Sequence, residues 1–329
     1  MTVRTRFAPS PTGSLHLGSA LSAAANRSRG DSLLLRIDDT DSARNVPGGE
    51  ADLVRDLEWL GIVWDEGPVR QSERRERHVE AGRGLGERFD GITLVRDDGT
   101  PTYHLASVVD DVDFGITHVV RGNDHRPNED LHRRLHEALG TEPPEYVHHG
   151  LLLGPDGKKL SKRNHGVATV ADLREQGIPP EAVRAYLEEL GLPRHDVQLD
   201  LARVRRLAID AIEALSDAEL ASRSGAPPQL ARALRGARDL VEARAMAAAI
   251  LEPQPVSLPE EARPTLARFA ELRAKGLDGK EIVRELKAVG GDLRALRLAL
   301  TGAERGPELW AVIAALPQDE ALRRVDAAL

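Results

Sequence analysis

The chain contains no cysteine among its 329 residues. This absence excludes disulfide bonds, thiol nucleophiles and thiolate zinc sites, so no zinc is expected. Aromatic residues make up only 3% of the sequence, so the core must be built mainly from aliphatic side chains. No apolar run approaches the roughly 20 residues of a membrane-spanning helix. The first residues also lack an apolar signal segment, and we therefore expect a cytoplasmic protein with no membrane partner.

The sequence also has no excess of basic over acidic residues. The formal net charge is −8 at pH 7, which argues against a protein that coats DNA, and no DNA partner is expected. A local basic face on an acidic chain still permits RNA binding. No apolar stripe indicates a subunit interface, so the sequence predicts a monomer.

The first half of the chain alternates short apolar runs with amphipathic segments. Strands are predicted at 3–8, 32–38, 115–122 and 149–154, and helices at 15–29, 50–60 and 129–139. This alternation predicts an α/β fold with a Rossmann-like parallel sheet that binds a nucleotide. After about residue 165 the sequence has a helical period almost throughout, which predicts an all-α C-terminal part.

One candidate phosphate site is a Pro/Gly turn, residues 9–13, that leads into His16-Leu17-Gly18-Ser19 at a predicted helix start. Backbone N–H groups and the helix dipole favour an anion there. Gly18 lets the backbone approach a nucleotide closely, and His16 can stabilise charge on an α-phosphate. Taken alone, the segment fits an ordinary strand–turn–helix, with Ser14 as the helix cap, equally well.

A second candidate is the basic run Lys158-Lys159-Leu160-Ser161-Lys162. Taken alone, such a run is typical of a solvated surface loop. A basic loop can also close on phosphates that a helix start already holds. The two motifs together indicate ATP binding and adenylate chemistry.

Charged residues follow two of the predicted strands, where ligands bind in open α/β sheets. Asp38 is a candidate for a substrate ammonium, although Asp39 and Asp41 beside it also suit a helix cap or turn. Arg121 can bind a carboxylate with two parallel hydrogen bonds, and Asp124 can accept from a ribose hydroxyl. A surface ion pair is the alternative interpretation for these two.

Four histidines lie in the same half of the chain, at positions 118, 125, 148 and 149. Their spacing and the lack of a third ligand argue against a metal site, and we expect structural or exposed roles for them.

With both phosphate motifs present, the chain resembles the class I aminoacyl-tRNA synthetases, and within them the glutamyl-tRNA synthetase branch. The segments that carry the resemblance are 6–13, 36–41, 99–103, 108–111, 115–124, 154–162, 172–191, 199–220, 295–302 and 306–309. The resemblance implies a catalytic domain at 1–165, a helical stem-contact-like region at 166–225 and a shortened anticodon-binding-like domain at 226–329.

The resemblance also implies roles for individual residues. The glutamate pocket would contain Arg6, Ser10, Asp38, Tyr103, Ser107 and Arg121, with Asp38 facing the α-ammonium and Arg121 the side-chain carboxylate. The ATP site would contain Ser10, His16, Gly18, Asp124, Lys159 and Lys162, of which His16, Lys159 and Lys162 would act in catalysis. Mg²⁺ would accompany ATP. The implied reaction joins L-glutamate to AMP and then to the terminal adenosine of tRNA, with tRNA(Glu) as the expected acceptor.

The chain departs from the branch at several points. Ser19 replaces the second histidine of the class I signature, Asp38 stands where glutamate is usual, and Ser107 stands where asparagine is usual. The connective insertion that grips the tRNA acceptor end is nearly absent, because only residues 74–92 occupy its place. The pocket is therefore expected to be kept while part of the tRNA grip is lost.

Three interpretations remain open. The first is a compact glutamate–tRNA ligase, which the helical tail favours. The arginines of this tail suit contacts with phosphates or, alternatively, pair with nearby acids. They are Arg203, Arg205, Arg206, Arg223, Arg232, Arg235 and Arg238. A paralogue that modifies queuosine-bearing tRNA(Asp) ranks lower because such relatives typically lack this tail. A tRNA-independent ligase or a binding relic is the third interpretation, and the intact His16, Arg121, Lys159 and Lys162 argue against a relic.

Overall fold

The computed structural model describes residues 2–41, 43–158, 160 and 169–329. Its strands are β1 (Arg4–Phe7), β2 (Ser32–Ile37), β3 (Glu66–Arg70), β4 (Arg88–Phe89), β5 (Ile92–Thr93), β6 (His118–Gly122), β7 (Glu145–His149), β8 (Leu152–Leu153) and β9 (Val197–Gln198). Its helices in the first 201 residues are α1 (Leu17–Arg29), α2 (Gly49–Trp59), α3 (Arg75–Gly84), α4 (Tyr103–Asp113), α5 (Glu129–Ala138), α6 (Val170–Glu175) and α7 (Pro180–Leu190).

The remaining helices are α8 (Leu201–Ala214), α9 (Asp217–Ser224), α10 (Ala231–Leu234), α11 (Leu240–Leu251), α12 (Arg263–Ala274), α13 (Gly279–Ala288), α14 (Leu293–Thr301), α15 (Leu309–Ala315) and α16 (Gln318–Ala327). Short 3-10 helices cover Gln71–Arg74, Asn123–Asn128, Pro228–Leu230 and Glu260–Ala262. Among the helices of the described residues, none has both the length and the apolar character needed to cross a membrane.

The chain divides into two compact units. The first contains Met1–Glu175 and Val183–Leu201, and the second contains Gln176–Ala182 and Ala202–Leu329. This division runs through the segment 166–225, and the three functional segments expected from the sequence stay a prediction.

A parallel sheet forms the centre of the first unit. Strand β2 lies between β1 and β3, and β6 pairs with β7, in each case with parallel strands. The backbone N–H of Thr117 donates to the carbonyl of Arg4 over 3.0 Å, which brings the start of β6 beside β1. The strands therefore lie in the order β3, β2, β1, β6, β7. The direction of the strand order reverses between β1 and β6, and this is the position where open α/β sheets bind ligands.

The observed elements confirm the alternation expected from the sequence, except at the last predicted strand. The prediction at 149–154 is wrong: β7 ends at His149, and β8 pairs with β9 instead. The reason is Gly150, which packs against the segment before β9. An added Cβ at Gly150 would lie 1.9 Å from the carbonyl oxygen of His195. Only a glycine allows this approach, and it occurs at the position where the chain leaves the first sheet.

A short hairpin begins within residues 74–92, the segment that stands where the connective insertion is expected. Strands β4 and β5 are antiparallel and are joined by Asp90 and Gly91. Both of these residues have positive φ, 48° and 81°, which is the conformation of the tight type I′ turn that Asp-Gly favours.

The second unit is all-helical in its described residues, and side chains mark where several of its helices begin. Ser216 and Asp278 each accept from the third N–H of the helix that follows, while a glutamate side chain at that position accepts from the cap backbone. Such capping boxes satisfy donors that a helix start leaves unpaired. Phe269, on α12, is fully buried in the apolar cluster between the later helices.

Several arginines of this tail are paired with acids. Arg223 donates to both carboxylate oxygens of Glu181, at 2.9 and 3.0 Å, and Arg238 pairs with Glu242 in the same manner. Arg235 pairs with Asp217. For these three arginines the structure favours the interpretation that they pair with acidic side chains on the helix surface, and not the interpretation that they contact phosphates.

Gly49 provides a test of how the fold positions the phosphate turn. An added Cβ at Gly49 would lie 2.4 Å from the carbonyl oxygen of Pro11, so Gly49→Ala forces the turn away from the start of α2. We expect a loss of about 1–3 kcal/mol in the free energy of unfolding. Urea titration followed by tryptophan fluorescence measures it. Gly84→Ala is the matched control, because no atom lies within 4 Å of its added Cβ. Equal stability of the two variants would contradict the packing argument.

Candidate active site

A cavity of about 560 Å³ lies at the carboxyl ends of the strands, at the point where the strand order reverses. Its walls come from residues 6–10 at the end of β1, the first turn of α1 and the end of β6. A cavity of this size is typical of a site for small molecules. The fold thus concentrates side chains from distant parts of the sequence around one space.

Most of the residues predicted from the sequence line this cavity: Arg6, Ser10, His16, Gly18, Asp38, Tyr103, Arg121 and Asp124. Ser107 is not among the lining residues, since it lies buried behind Arg36. Lys159 and Lys162 lie outside the described residues. The roles given to all of these residues stay predictions.

The start of α1 lines the cavity and carries no acidic residue of its own. His16 is at the N-cap position, and the first turn contains no acidic residue. An added Cβ at Gly18 would meet nothing within 4 Å, so the backbone at this position borders open space. The positive end of the helix dipole is therefore available to an anion.

Ser14 is not the cap of α1, contrary to the alternative interpretation of this segment. Its hydroxyl donates to the Asp56 carboxylate over 2.5 Å, and the backbone N–H of Leu15 donates to the same oxygen over 2.8 Å. Asp56, on α2, is fully buried and also pairs with Arg174. A buried carboxylate thus fixes the turn before α1, and the sequence offers no local signal for this contact.

Arg36, on β2, is fully buried in the wall of the cavity and donates hydrogen bonds to two carboxylates. Its Nε and Nη2 donate to the two oxygens of Asp38, over 2.7 and 3.2 Å, and its Nη1 donates to Asp111 over 2.9 Å. Asp111 also accepts from Arg6 Nε over 3.2 Å. Burial alone would lower the pKa of Arg36, but the charges of Asp38 and Asp111 raise it above its ordinary value. The guanidinium therefore stays charged and is neutralised by its neighbours.

Asp38 keeps its place at the cavity wall through this pairing. Burial raises the pKa of its carboxyl group, and the charge of Arg36 opposes that rise. Ser107 contacts the same guanidinium, with its carbonyl oxygen 3.4 Å from Arg36 Nη1 and its hydroxyl 3.5 Å from Nη2. In this structure Ser107 supports Arg36 from below.

Asp110 forms a second buried centre next to Arg36. It accepts hydrogen bonds from His78 Nε2 at 2.7 Å, Arg74 Nε at 2.8 Å and Gln71 Nε2 at 2.9 Å. Burial alone would raise the pKa of Asp110. The hydrogen bond from His78 and the charge of Arg36 outweigh it, and the pKa falls to about 2. This carboxylate is therefore ionised at neutral pH.

Arg121, at the end of β6, is another buried arginine of the cavity wall, and its environment is different from that of Arg36. Its Nε donates to His148 Nε2 over 3.2 Å, and its Nη1 lies 3.4 Å from His132 Nδ1. Its Nη2 is buried without a hydrogen-bond partner. Among the described residues, no carboxylate lies within 4 Å of its guanidinium nitrogens. Burial, and after it the charge of Arg6, lowers the pKa of Arg121.

Three of the four histidines that were expected to be structural or exposed line the cavity or contact a residue of its wall. His125 and His149 line the cavity, and His149 Nε2 lies 2.8 Å from the hydroxyl of Ser22. His148 contacts Arg121, and only His118 stands apart, near Glu145. Among the described residues, no group of three or more His, Asp or Glu side chains is arranged to hold a metal.

Comparison with known proteins identifies the family. Residues 2–85 and 86–217 match the family described as tRNA synthetases class I (E and Q), catalytic domain. The chain belongs to this family. Glutamate–tRNA ligase 1 of Rubrobacter xylanophilus is similar to this synthetase, with 35% identity over 99% of this chain and 98% of the relative. Glutamate–tRNA ligase 2 of Rhodospirillum centenum is 32% identical, and 99% of each chain is covered.

A solved structure supports the fold. The crystal structure of a glutamate tRNA ligase from Elizabethkingia meningosepticum, in complex with its amino acid, superposes with a TM-score of 0.74. It covers 100% of this synthetase and 99% of that chain, at 23% sequence identity. The predicted fold class, a Rossmann-like catalytic domain followed by an all-α part, is confirmed, as is the predicted resemblance to the glutamyl-tRNA synthetase branch.

The compact form of this synthetase is also visible in the comparison. The alignment with the Rubrobacter relative spans 433 positions, so more than 100 residues of the relative have no counterpart in this 329-residue chain. The two matched parts of the family meet at residues 85 and 86, immediately before the β4–β5 hairpin. The family match is therefore interrupted where the sequence lacks the connective insertion.

Asp110→Asn tests the buried charge network. Because the pKa of Asp110 in the fold lies below its unfolded value near 4, its stabilising contribution is present above about pH 4 and is lost as the pH falls toward 2. We expect the variant to lose about 3 kcal/mol at pH 7 and to show a decline in stability between pH 4 and pH 2 that is smaller by about 2 kcal/mol.

Urea unfolding at several pH values measures both effects. Fluorescence of Trp59 and Trp64 in a Trp310→Phe background reports only the unit that contains Asp110. The matched control is Asp113→Asn, which breaks the partly exposed pairs with Arg74 and Arg77 and should cost about 1 kcal/mol or less. An unchanged pH dependence in Asp110→Asn would contradict the assignment.

Proposed function

We propose that this synthetase is a glutamate–tRNA ligase, which activates L-glutamate with ATP and transfers it to the 3′-terminal adenosine of tRNA. The observation that carries the proposal is the buried Arg121 at the cavity wall. It has a free donor, Nη2, and no carboxylate within 4 Å among the described residues. A buried cation without a counter-charge is costly to maintain unless a ligand supplies the opposite charge.

The side-chain carboxylate of glutamate is the ligand that suits Arg121. A guanidinium offers a flat set of donors that matches the two oxygens of a carboxylate. Asp38 lines the same cavity, and its carboxyl group is proposed to bind the α-ammonium group of the same substrate. Tyr103 is also among the lining residues. A substrate with one amine and a distal carboxylate fits this distribution of charge.

ATP is assigned to the start of α1. The N–H groups of its first turn would hold phosphate oxygens, and His16 would stabilise the charge that develops on the α-phosphate. Asp124, after β6, is proposed to accept from a ribose hydroxyl. Lys159 and Lys162 are proposed, from the sequence motif, to complete the phosphate site. Mg²⁺ is proposed to enter with the ATP phosphates, since it commonly binds through substrate oxygens and water.

The proposed chemistry has two steps. An oxygen of the glutamate α-carboxylate attacks the α-phosphorus of ATP, and pyrophosphate leaves with the electrons of the broken P–O bond. A ribose hydroxyl of the tRNA then attacks the carbonyl carbon of glutamyl-AMP, and AMP leaves. The protein contributes positioning and charge stabilisation, so no nucleophilic side chain is required.

A second candidate differs only in the acceptor. The β4–β5 hairpin replaces the insertion expected to hold the tRNA acceptor end, and this observation favours an acceptor other than ordinary tRNA. The second unit, with its helices from α8 onward, favours the first candidate. A monomeric state, a cytoplasmic location and the absence of zinc stay predictions from the sequence.

The deciding experiment is glutamate-dependent exchange of pyrophosphate into ATP, with and without total tRNA, followed by detection of glutamate on that tRNA. Exchange together with charging supports the first candidate. Exchange without charging favours the second. No exchange with any of the twenty amino acids, even with tRNA present, overturns both.

Gly18→Ala tests the ATP site. Its added Cβ enters open space next to the cavity, so folding should not suffer, while close approach of ATP phosphates should be blocked. We expect a rise of about tenfold or more in the KM for ATP with no loss in the midpoint of urea unfolding. Gly84→Ala, at the end of α3, serves again as the control and should leave the KM unchanged. A normal KM in Gly18→Ala would remove this helix start from the ATP site.

Arg121→Lys tests the carboxylate site. A lysine keeps the charge but cannot make two parallel hydrogen bonds to a carboxylate. We expect the KM for glutamate to rise by roughly 10- to 100-fold in pyrophosphate exchange, which corresponds to one or two lost hydrogen bonds to a charged group. The KM for ATP in the same assay is the internal control. If the KM for glutamate does not move, Arg121 is not the carboxylate-binding residue.

A further inference from the structure

We propose that His132 and His148 hold Arg121 in place as neutral hydrogen-bond acceptors, and that they thereby give the site its selectivity for a carboxylate over an amide. They are positioning residues, because neither is among the residues that line the cavity. The inference rests on the proposed function and adds to it the residues that set substrate choice.

The hydrogen bonds define the protonation of both rings. A guanidinium has only donors, so the nitrogens that face it, His132 Nδ1 and His148 Nε2, must each present a lone pair. Each ring then carries its proton on the other nitrogen. In His132 this is Nε2, which lies 3.1 Å from the acceptor Nδ1 of His104. In His148 it is Nδ1, which lies 3.4 Å from Glu129 Oε2.

Burial supports this neutral state. His132 is 1% exposed, and burial followed by the charge of Arg121 lowers the pKa of His132 to about 2. The same two causes lower the pKa of His148 to about 4. Neither ring adds a charge next to Arg121 at neutral pH.

A second buried arginine of the wall, Arg36, shows what the imidazoles avoid. Arg36 is held by Asp38 and Asp111, and its charge is neutralised. A carboxylate at either histidine position would orient Arg121 equally well but would remove the net positive charge. The site would then bind a neutral amide side chain, as in glutamine, about as well as the anionic side chain of glutamate.

Two pairs of variants isolate the charge. Asparagine places an acceptor near the position of histidine Nδ1, and glutamine places one near Nε2. His132→Asn and His132→Asp therefore differ mainly in charge, and so do His148→Gln and His148→Glu. In pyrophosphate exchange we expect the KM for glutamate to be about 100-fold higher in each acidic variant than in its amide partner, as expected for a partly buried pair of unit charges.

Further readouts separate this effect from a general loss of structure. The KM for ATP should agree within about twofold inside each pair. The ratio of the inhibition constant of glutamine to the KM for glutamate should fall in the acidic variants. Equal KM values for glutamate within both pairs would overturn the proposal while leaving the ligase activity intact. Absence of exchange in the unmodified protein would instead overturn the proposed function.

A measurement on the unmodified protein does not depend on activity, and it uses variants only to assign the signals. Long-range ¹H–¹⁵N NMR spectra of protein labelled in histidine distinguish the two neutral tautomers from the cation. At pH 7 we expect a proton on Nε2 of His132 and on Nδ1 of His148, assigned by the signals that disappear in His132→Asn and His148→Gln. A cationic ring, or a proton on the nitrogen that faces Arg121, would overturn the proposal.

Discussion

The pairing of Arg36 with Asp38 and Asp111 is the interaction on which the cavity wall depends. It joins the end of β2 to α4 and, through Asp111, to Arg6 on β1. Three separate parts of the chain are thereby held by one buried cation. Removal of a single partner would leave an uncompensated charge in the interior, which costs more than the pair contributes. The wall is therefore stable only as a whole, and this gives Asp38 a fixed position.

Arg36 and Arg121 show two solutions to the same physical problem. Each guanidinium is almost completely removed from water, and each needs acceptors for its donors. Carboxylates make Arg36 a part of the scaffold. Imidazoles make Arg121 a residue whose charge is still available. The two arginines thus differ in what their partners leave of the charge: it is neutralised at Arg36 and not at Arg121.

The sequence was sufficient for the alternation of several strands and helices, and most of the site residues it predicted line the cavity, but it missed β3, α3 and α4. Residues next to strand ends, such as Asp38 and Arg121, follow a general rule of parallel sheets and were found in this way. The supporting contacts were not. Asp56 reaches Ser14 across 42 positions, and Arg36 reaches Asp111 across 75, so no local pattern announces them. The wrong prediction of a strand at 149–154 has a similar origin, because the close approach of Gly150 to His195 is a contact between distant segments. The sequence did contain one signal for these contacts. Arg36, and the adjacent pair Asp110 and Asp111, lie inside otherwise apolar elements.

The Asp90-Gly91 turn has a consequence for the folding of the catalytic unit. The ends of β4 and β5 are held side by side by their hydrogen bonds. The entropy of closing a connection between two fixed ends grows only with the logarithm of its length. A connection of two residues and one of more than a hundred therefore differ by only a few kcal/mol in that entropy. As far as closure entropy is concerned, the length of this connection can therefore vary widely at a modest cost to the stability of the fold around it.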